Sequence, residues 1–252
     1  METIKLINND WRKVFKTIED NSIDLIVTDP PYGYKYKFTE GNWGSVNDVK
    51  GFDKSLKKLN NINPVGYNIE EFCNEAIRVM KNINIYTWCN KSQIYEYLSI
   101  FVGKHKCKYE IIVWNKVDAL PTYFNKYLTD CEYCLYFHKG VSVHPSNYQD
   151  AKTVYVGSIN RESKLFGHPT VKPLELTKKM ILNSSKEGDL VLDPFMGSGT
   201  SGVACQELKR KFIGIEINND YFNICKTRIL EIDPITRQSK VFKMSLFEDD
   251  WE

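Results

Sequence analysis

The sequence has no uninterrupted apolar run close to the ~18 residues that suggest a membrane-spanning helix. Its first residues, METIKLINNDW, also lack the basic and then apolar pattern of a secretory signal. Hydrophobic residues make up 42% and charged residues 26% of the chain, which is ordinary for globular proteins and argues against fibrous and disordered classes. We therefore expect a cytoplasmic globular protein with no membrane partner.

The chain also has little net charge and no regular cysteine framework. Its 34 basic and 32 acidic side chains leave a formal charge of +2, which is too small to argue nucleic-acid binding from the total alone. Seven scattered cysteines fit reduced thiols better than a disulfide scaffold. Cys131, Cys134 and His138 have a zinc-like spacing, but strand alternation would send the two thiols to opposite faces and no second pair lies nearby. We expect no metal.

Strand-like and helix-like segments alternate along the chain. Strands are predicted at 4–7, 23–28, 83–88, 111–114, 133–138, 191–193 and 212–217. Segments with apolar residues at helical spacing lie between most of these strands. This alternation predicts an α/β fold with a mostly parallel sheet and helices on both faces. The 111–114 and 133–138 strands have no clear helix between them and are expected at the antiparallel end of the sheet. At 252 residues, the chain is expected to form one domain, 1–252.

One motif is glycine-rich and follows the strand at 191–193, reading Asp-Pro-Phe-Met-Gly-Ser-Gly-Thr over 193–200. Glycines there let the backbone approach a ligand closely. Gly197, Gly199 and Gly202 also satisfy G-x-G-x-x-G, and Glu216 lies near the end of the next strand, as an acid that binds a ribose would. Taken alone, this motif fits a nicotinamide cofactor equally well, and a tight turn without a ligand is the structural alternative.

The second motif, Thr-Asp-Pro-Pro-Tyr-Gly over 28–33, is more specific. Two consecutive prolines fix φ and remove two backbone donors, so this corner is rigid and rich in carbonyl acceptors. It holds an acid, carbonyl oxygens and an aromatic face together at the end of a strand. An exocyclic NH₂ group needs acceptors for both N–H bonds and a platform for its ring. A proline-capped strand with a surface tyrosine is the alternative interpretation.

Together the two motifs resemble the DNA amino-methyltransferases that use S-adenosylmethionine, in the arrangement with the Asp-Pro-Pro-Tyr corner before the glycine loop. The resemblance covers most of the chain and implies a Rossmann-like methyltransferase fold, with a mostly parallel seven-stranded sheet containing one antiparallel strand. It implies a catalytic role for Asp29, Pro30, Pro31 and Tyr32. It implies cofactor binding by Asp10, Thr170, Lys172, Asp193, Phe195, Gly197, Ser198, Gly199, Thr200 and Glu216.

Within that resemblance, individual residues take individual roles. Asp10 looks like the acid near the cofactor's adenine ring, and Glu216 like the acid on its ribose hydroxyls. Thr170 and Lys172, in the segment 168–173, look like residues near the methionine end of the cofactor. Val171 departs from the family pattern, which often has glutamine there, and this departure affects no central role.

The resemblance implies methyl transfer to the amino group of a base that is flipped out of double-stranded DNA. Hydrogen bonds to the Asp29 carboxylate and the Pro30 carbonyl would localise the amine lone pair, and Tyr32 would stack on the base. No Pro-Cys pair occurs, which argues against cytosine C5 chemistry. A corner that begins with Asp is mostly associated with N6-adenine in that family, so adenine is expected. N4-cytosine, and an RNA or protein-amide substrate, remain alternatives, as does a non-enzymatic binding module, against which the intact corner argues.

Two long segments, 35–63 and 141–166, do not fit the alternation. The first is an inserted loop of lysines and interleaved aromatic residues, which suits phosphate contact and base stacking, with a solvated lysine-rich loop as an equal alternative. The second is the candidate target-recognition segment, because the resembling family often reads DNA sequence there. We expect DNA to contact both. Dimers and restriction-modification roles are common in that family, but no feature of the sequence demonstrates a homodimer.

Overall fold

The computed structural model describes residues 4–32, 67–119, 127–159 and 171–231. The predicted insertion at 35–63, Gly33 at the end of the corner motif and the predicted cofactor residue Thr170 lie outside the described residues. Part of the candidate target-recognition segment, 160–166, also lies outside them. Within the described ranges, no helix has the length and apolar character that crossing a membrane requires. The same ranges contain no cluster of side chains suited to a metal ion.

Eight strands of the described chain form one sheet, in the order β1-β8-β7-β2-β3-β5-β4-β6. Their bounds are β1 Ile4–Ile7, β2 Leu25–Thr28, β3 Ile83–Cys89, β4 Lys108–Lys116, β5 Cys131–Lys139, β6 Val154–Gly157, β7 Leu190–Asp193 and β8 Lys211–Ile215. Only β5 runs against its neighbours, pairing antiparallel with both β3 and β4. The predicted fold class and the one antiparallel strand are therefore confirmed.

The predicted number of seven strands is wrong, because the sheet also contains β6. This strand lies within the segment that showed no periodicity in the sequence, and it pairs on one side only, parallel to β4. Its residues Val154 and Val156 are exposed. A short edge strand of this kind is fixed by backbone pairing to its neighbour and not by a buried face, so it has no strong hydrophobic signal.

Helices cover both faces of the sheet. Their bounds are α1 Trp11–Phe15, α2 Ile69–Val79, α3 Ile94–Leu98, α4 Tyr148–Ala151, α5 Leu174–Ser184, α6 Thr200–Glu207 and α7 Asn219–Lys226. Short π-helical turns, Ser99–Lys104 and Thr227–Glu231, continue α3 and α7. Side-chain caps begin several of them, since Asp10, Asn68 and Asn218 each accept a backbone N–H of the first turn. Pro173 is the N-cap residue of α5, which begins at Leu174.

Two hydrophobic cores lie on opposite faces of the sheet. Ile26 and Ile85 face the core that α1, α2 and α3 cover, and their neighbours Leu25 and Tyr86 face the core that α5, α6 and α7 cover. This follows from the period-2 alternation of strand side chains. The central strands are buried on both faces, which explains why they read as continuous apolar runs.

The carboxyl ends of β1, β8, β7, β2 and β3 meet at one edge of the sheet, because these neighbours are all parallel. Polar residues follow each end: Asp10 comes after β1, Glu216 after β8 and Asn90 after β3, while Asp193 ends β7 and Asp29 follows β2. Open α/β sheets bind ligands outside this edge. The topology thus gathers the predicted acids on one side of the molecule.

We predict that Gly202→Ala in α6 destabilises the fold. A Cβ at Gly202 would lie 2.9 Å from Cε1 of Phe212 and closer still to Cδ1 of Ile229, and overpacking of this kind costs about 1–3 kcal/mol. Urea unfolding would measure the free energy of unfolding. Gly103→Ala is the matched control, since its Cβ would meet nothing nearer than the Leu98 carbonyl oxygen at 3.9 Å. Equal losses in both variants would contradict the packing argument.

Candidate active site

The Asp-Pro-Pro-Tyr corner leaves the sheet directly after β2, and polar side chains hold it on two sides. The hydroxyl of Thr28 donates to Asp193 Oδ1 at 3.0 Å, which ties the corner to the start of the glycine loop. On the other side, Gln93 Nε2 donates to the Pro31 carbonyl at 3.3 Å and Asn90 Nδ2 donates to the Tyr32 carbonyl at 3.1 Å. Both amides come from the turn between β3 and α3.

That turn is itself rigid, although sequence reasoning assigned it no role. Asn90 Oδ1 accepts from the backbone N–H and the hydroxyl of Ser92, at 2.8 and 2.6 Å, and Gln93 Oε1 accepts from Asn90 N at 3.1 Å. An Asn that begins a turn after a buried strand is the local signal for this arrangement. This local signal does not show which residues the turn will contact, because the corner lies about sixty positions earlier in the chain.

Both oxygens of the Asp29 carboxylate have partners. Lys172 Nζ lies 2.7 Å from Oδ2, and the Tyr32 hydroxyl donates to Oδ1 at 3.0 Å. Burial, together with the charge of Asp29, raises the pKa of the Tyr32 hydroxyl well above its usual range. Tyr32 therefore keeps its proton and acts as a donor to Asp29. The structure brings together the acid and the phenol of the corner, as predicted.

Lys172 is the centre of a buried charge cluster. It is only 8% exposed, and its ammonium also lies 3.1 Å from Glu132 Oε2. The ring centroids of Trp88 and Tyr32 lie 5.0 and 5.9 Å from the same nitrogen. Burial alone would lower the pKa of Lys172, but Asp29 and Glu132 raise it above its usual value, so the ammonium stays charged. Sequence reasoning expected Lys172 near the cofactor; the structure places it on the predicted catalytic acid.

Glu132, at the start of β5, was missed by sequence reasoning. Its Oε1 forms an ion pair with Lys116 of β4, and its Oε2 is inaccessible to solvent. Burial would raise the pKa of Glu132, but the ammonium groups of Lys172 and Lys116 outweigh that effect and lower it to about 2. Four charges of alternating sign, on Asp29, Lys172, Glu132 and Lys116, therefore form one chain.

The Glu216 carboxylate contacts the glycine loop. The Glu216 carboxylate accepts the Gly197 N–H at 3.0 Å and the Asn218 N–H at 2.8 Å, and its backbone carbonyl accepts from Asn8 Nδ2 at 2.7 Å. Burial raises the pKa of Glu216 and these N–H groups oppose that rise. Gly197 has a φ of +49°, which favours glycine. The loop and the acid thus form one unit across β7 and β8.

Asp193 lies inside the protein below this loop. Its Oδ1 accepts from Thr28 and from the Phe195 N–H at 3.1 Å, its Oδ2 accepts from the Ser201 hydroxyl, and the residue is 5% exposed. Burial raises the pKa of Asp193 to about 7. These contacts make Asp193 the link that fixes the corner, the loop and the first turn of α6 relative to one another.

Ser198 and Thr200 contact Arg228, a buried residue that sequence reasoning did not select. Arg228 Nη1 donates to the Ser198 carbonyl at 3.1 Å and to the Thr200 hydroxyl at 3.0 Å. Gly199 has a φ of +80°, and a Cβ there would lie 2.8 Å from Cβ of Cys225. Glycine at 199 is therefore required by packing against α7, whereas the sequence argument had considered only close approach to a ligand.

Asp10 and Phe195 both lie next to Trp11, Asp10 as the preceding residue and Phe195 through its ring. Asp10 accepts the Arg12 N–H at 2.8 Å at the start of α1. The Phe195 ring centroid lies 6.0 Å from that of Trp11 and 5.6 Å from that of Tyr67. Acidic acceptors after β1 and β8, together with the aromatic cluster of Trp11, Tyr67 and Phe195, suit a nucleoside, whose sugar offers hydroxyl donors and whose base offers an apolar face.

A family model described as DNA methylase matches residues 23–227, and the chain belongs to this family. It is an S-adenosylmethionine-dependent DNA amino-methyltransferase. Family membership therefore decides in favour of S-adenosylmethionine over the nicotinamide cofactor that the glycine motif alone would also fit.

Named relatives agree with the family. The type II methyltransferase M.HpaI of Haemophilus parainfluenzae is 31% identical, over 89% of this chain and 74% of its own length. The type II methyltransferase M2.DpnII of Streptococcus pneumoniae is 30% identical, over 89% and 88%. The crystal structure of an M1.HpyAVI–SAM complex superposes with a TM-score of 0.64 at 26% identity, over 90% of this chain and 99% of that chain. The fold is therefore that of an S-adenosylmethionine-binding methyltransferase.

We predict that Glu132 makes the fold acid-sensitive. Its folded pKa of about 2 lies below its usual 4.5, so it contributes stability above pH 4.5 that is lost as the pH falls toward 2. Between pH 5 and pH 3 this loss should amount to about 2 kcal/mol. Urea unfolding at both pH values should show a smaller loss in Glu132→Gln than in the wild type. Equal losses would mean that Glu132 is not held ionised by its two lysines.

Proposed function

We propose that this chain methylates the N6 amino group of adenine in double-stranded DNA, with the base flipped out of the helix. The observation that supports this most strongly is the Asp-Pro-Pro-Tyr corner, whose acid and carbonyls lie at the same sheet edge as Glu216 and Gly197. A base inside a duplex could not reach this edge, since the target nitrogen is stacked between neighbours.

S-adenosylmethionine, when bound, supplies a methyl group that the positive sulfur makes electrophilic. The Glu216 carboxylate is proposed to accept the ribose hydroxyls, and Asp10 to accept from the adenine amine of the cofactor. Phe195 and the loop of Gly197, Ser198, Gly199 and Thr200 form the wall of the pocket, and Asp193 holds that loop in place through the Phe195 N–H. Thr170 and Lys172 complete the proposed set at the methionine end.

Asp29 and Pro30 are proposed to accept the two N–H bonds of the target amine. None of the described residues donates a hydrogen bond to the Pro30 carbonyl, so this acceptor has no described partner to give up when the amine binds. An exocyclic amine is a poor nucleophile because its lone pair is delocalised into the ring, and two acceptors held by rigid prolines favour the localised, tetrahedral form. Asp29 also accepts the proton that the nitrogen gives up.

Tyr32 is proposed to change partners when the base arrives. Its hydroxyl occupies Asp29 Oδ1, one of the oxygens that the amine needs. The ring would move from this contact to stack on the flipped base, and Oδ1 would then accept the amine N–H. The turn amide of Asn90 keeps the Tyr32 backbone in place during this exchange.

The position of the end of β6 supports contact with DNA by the later part of the candidate target-recognition segment. The strand β6 runs parallel to β4, which runs parallel to β3, so the chain after Gly157 leaves the sheet at the same edge as the corner. We therefore propose that 141–166 and the basic loop 35–63 contact the duplex around the target base, as parts of a single domain, 1–252. We also propose a restriction-modification role and a homodimer, both of which are common in the family.

Adenine is favoured because the corner begins with Asp29, and N4 of cytosine is the second candidate because it presents the same two donors. We predict that digestion of DNA treated with the enzyme yields N6-methyladenine when the nucleosides are separated by mass spectrometry. Unmethylated DNA, RNA and protein should be treated side by side. N4-methylcytosine as the main product, or label in RNA or protein but not in DNA, would contradict the proposal.

We also predict that Asp29→Ala abolishes turnover and leaves S-adenosylmethionine affinity nearly unchanged, because this acid serves the amine and not the cofactor. Transfer of labelled methyl to unmethylated DNA would measure turnover, and calorimetry would measure affinity. Asp20→Ala is the matched control, since that carboxylate is 64% exposed and pairs with Arg78 away from the site. A comparable loss of cofactor affinity in Asp29→Ala would overturn this division of roles.

A further inference from the structure

The charge chain beside the corner contains a residue without an assigned role. Lys172 contacts two carboxylates at once, Asp29 Oδ2 at 2.7 Å and Glu132 Oε2 at 3.1 Å. The second carboxylate is anchored to the sheet, because β4 and β5 pair in register at Trp114 and Glu132. Lys116, at the end of β4, holds its other oxygen.

We propose that Glu132 is a positioning residue, which divides the Lys172 ammonium between two carboxylates and so leaves Asp29 able to accept the target amine. This inference rests on the proposed function of Asp29. Glu132 touches neither the base nor the cofactor in this account, and it acts only through Lys172.

The physical reason is the burial of Lys172. Lys172 is 8% exposed, so its ammonium has few water partners, and the ammonium also lies near the rings of Trp88 and Tyr32. Its charge is therefore balanced by the two nearby carboxylates. With Glu132 present, Asp29 shares the ammonium. Without Glu132, the ammonium would pair with Asp29 alone, and this stronger ion pair would weaken the Asp29 carboxylate as an acceptor for the amine N–H.

A purely structural role is the competing explanation. Glu132 is a mostly buried acid between two lysines, so its removal leaves uncompensated positive charge and lowers stability by that route alone. A variant that restores charge neutrality but not the contact with Lys172 distinguishes the two explanations. The variant Glu132→Gln/Lys116→Met does this, since it removes one charge of each sign and leaves Lys172 with Asp29.

The experiment compares the wild type with Glu132→Gln, Glu132→Asp and the double variant Glu132→Gln/Lys116→Met. Steady-state transfer of labelled methyl to unmethylated DNA gives kcat and KM, calorimetry gives the affinity for S-adenosylmethionine, and thermal unfolding gives Tm. We expect kcat to fall at least about tenfold in Glu132→Gln, as small misplacements of a reacting group do, with cofactor affinity nearly unchanged. Glu132→Asp should recover part of kcat. Glu70→Gln, on an exposed ion pair with Lys104, is the control and should match the wild type.

The double variant decides between the explanations. We expect its Tm to recover toward the wild type while its kcat stays low. Recovery of kcat together with Tm would overturn the proposal and assign Glu132 a structural role, and so would an unchanged kcat in Glu132→Gln. An inactive wild type would instead refute the proposed function itself, which keeps the two failures distinguishable.

Discussion

The parallel strands impose one constraint on the whole site, because they deliver several acids to the same buried edge of the sheet. Asp193 ends β7, and Glu216 and Asp29 follow the two strands on either side of it. Carboxylates gathered at one edge need separate compensation. Asp193 receives hydroxyl and N–H donors, Glu216 receives backbone N–H groups, and Asp29 receives a lysine. These different partners go with different roles. Asp193 is an interior link, Glu216 is the proposed ribose acceptor and Asp29 is the proposed amine acceptor.

The lysine on Asp29 couples the two halves of the sheet. Asp29 lies in the parallel half, and Glu132 lies on β5, the antiparallel strand beside β3. Lys172 spans the two from the segment before α5. Hydrogen bonds from Asn90 and Gln93 fix the backbone of the corner, whereas ion pairs fix its carboxylate. The corner therefore needs both a fixed backbone and a paired carboxylate. The turn after β3 supplies the first, and Lys172 supplies the second.

Local patterns predicted most of the fold, and contacts distant in sequence account for what was missed. The corner and the glycine loop are each contained in a few consecutive residues, so proline and glycine chemistry could be read directly. The burial of β2, β3 and β7 on both faces gave apolar runs that indicated strands. The edge strand β6 lacks a buried face and was missed for that reason. Glu132 and Arg228 were missed because an isolated acid in an aromatic strand and an arginine in a terminal helix become significant only through partners far along the chain.

Asp29 and Pro30 are proposed to receive the amino group of a flipped base. A crystal structure of the protein with DNA and a non-reactive analogue of S-adenosylmethionine tests this most directly. The account predicts the adenine N6 atom within hydrogen-bonding distance, about 2.7–3.2 Å, of both the Asp29 carboxylate and the Pro30 carbonyl, with the Tyr32 ring stacked on the base. A bound base whose amine lies elsewhere, with the Tyr32 hydroxyl still on Asp29, would contradict it.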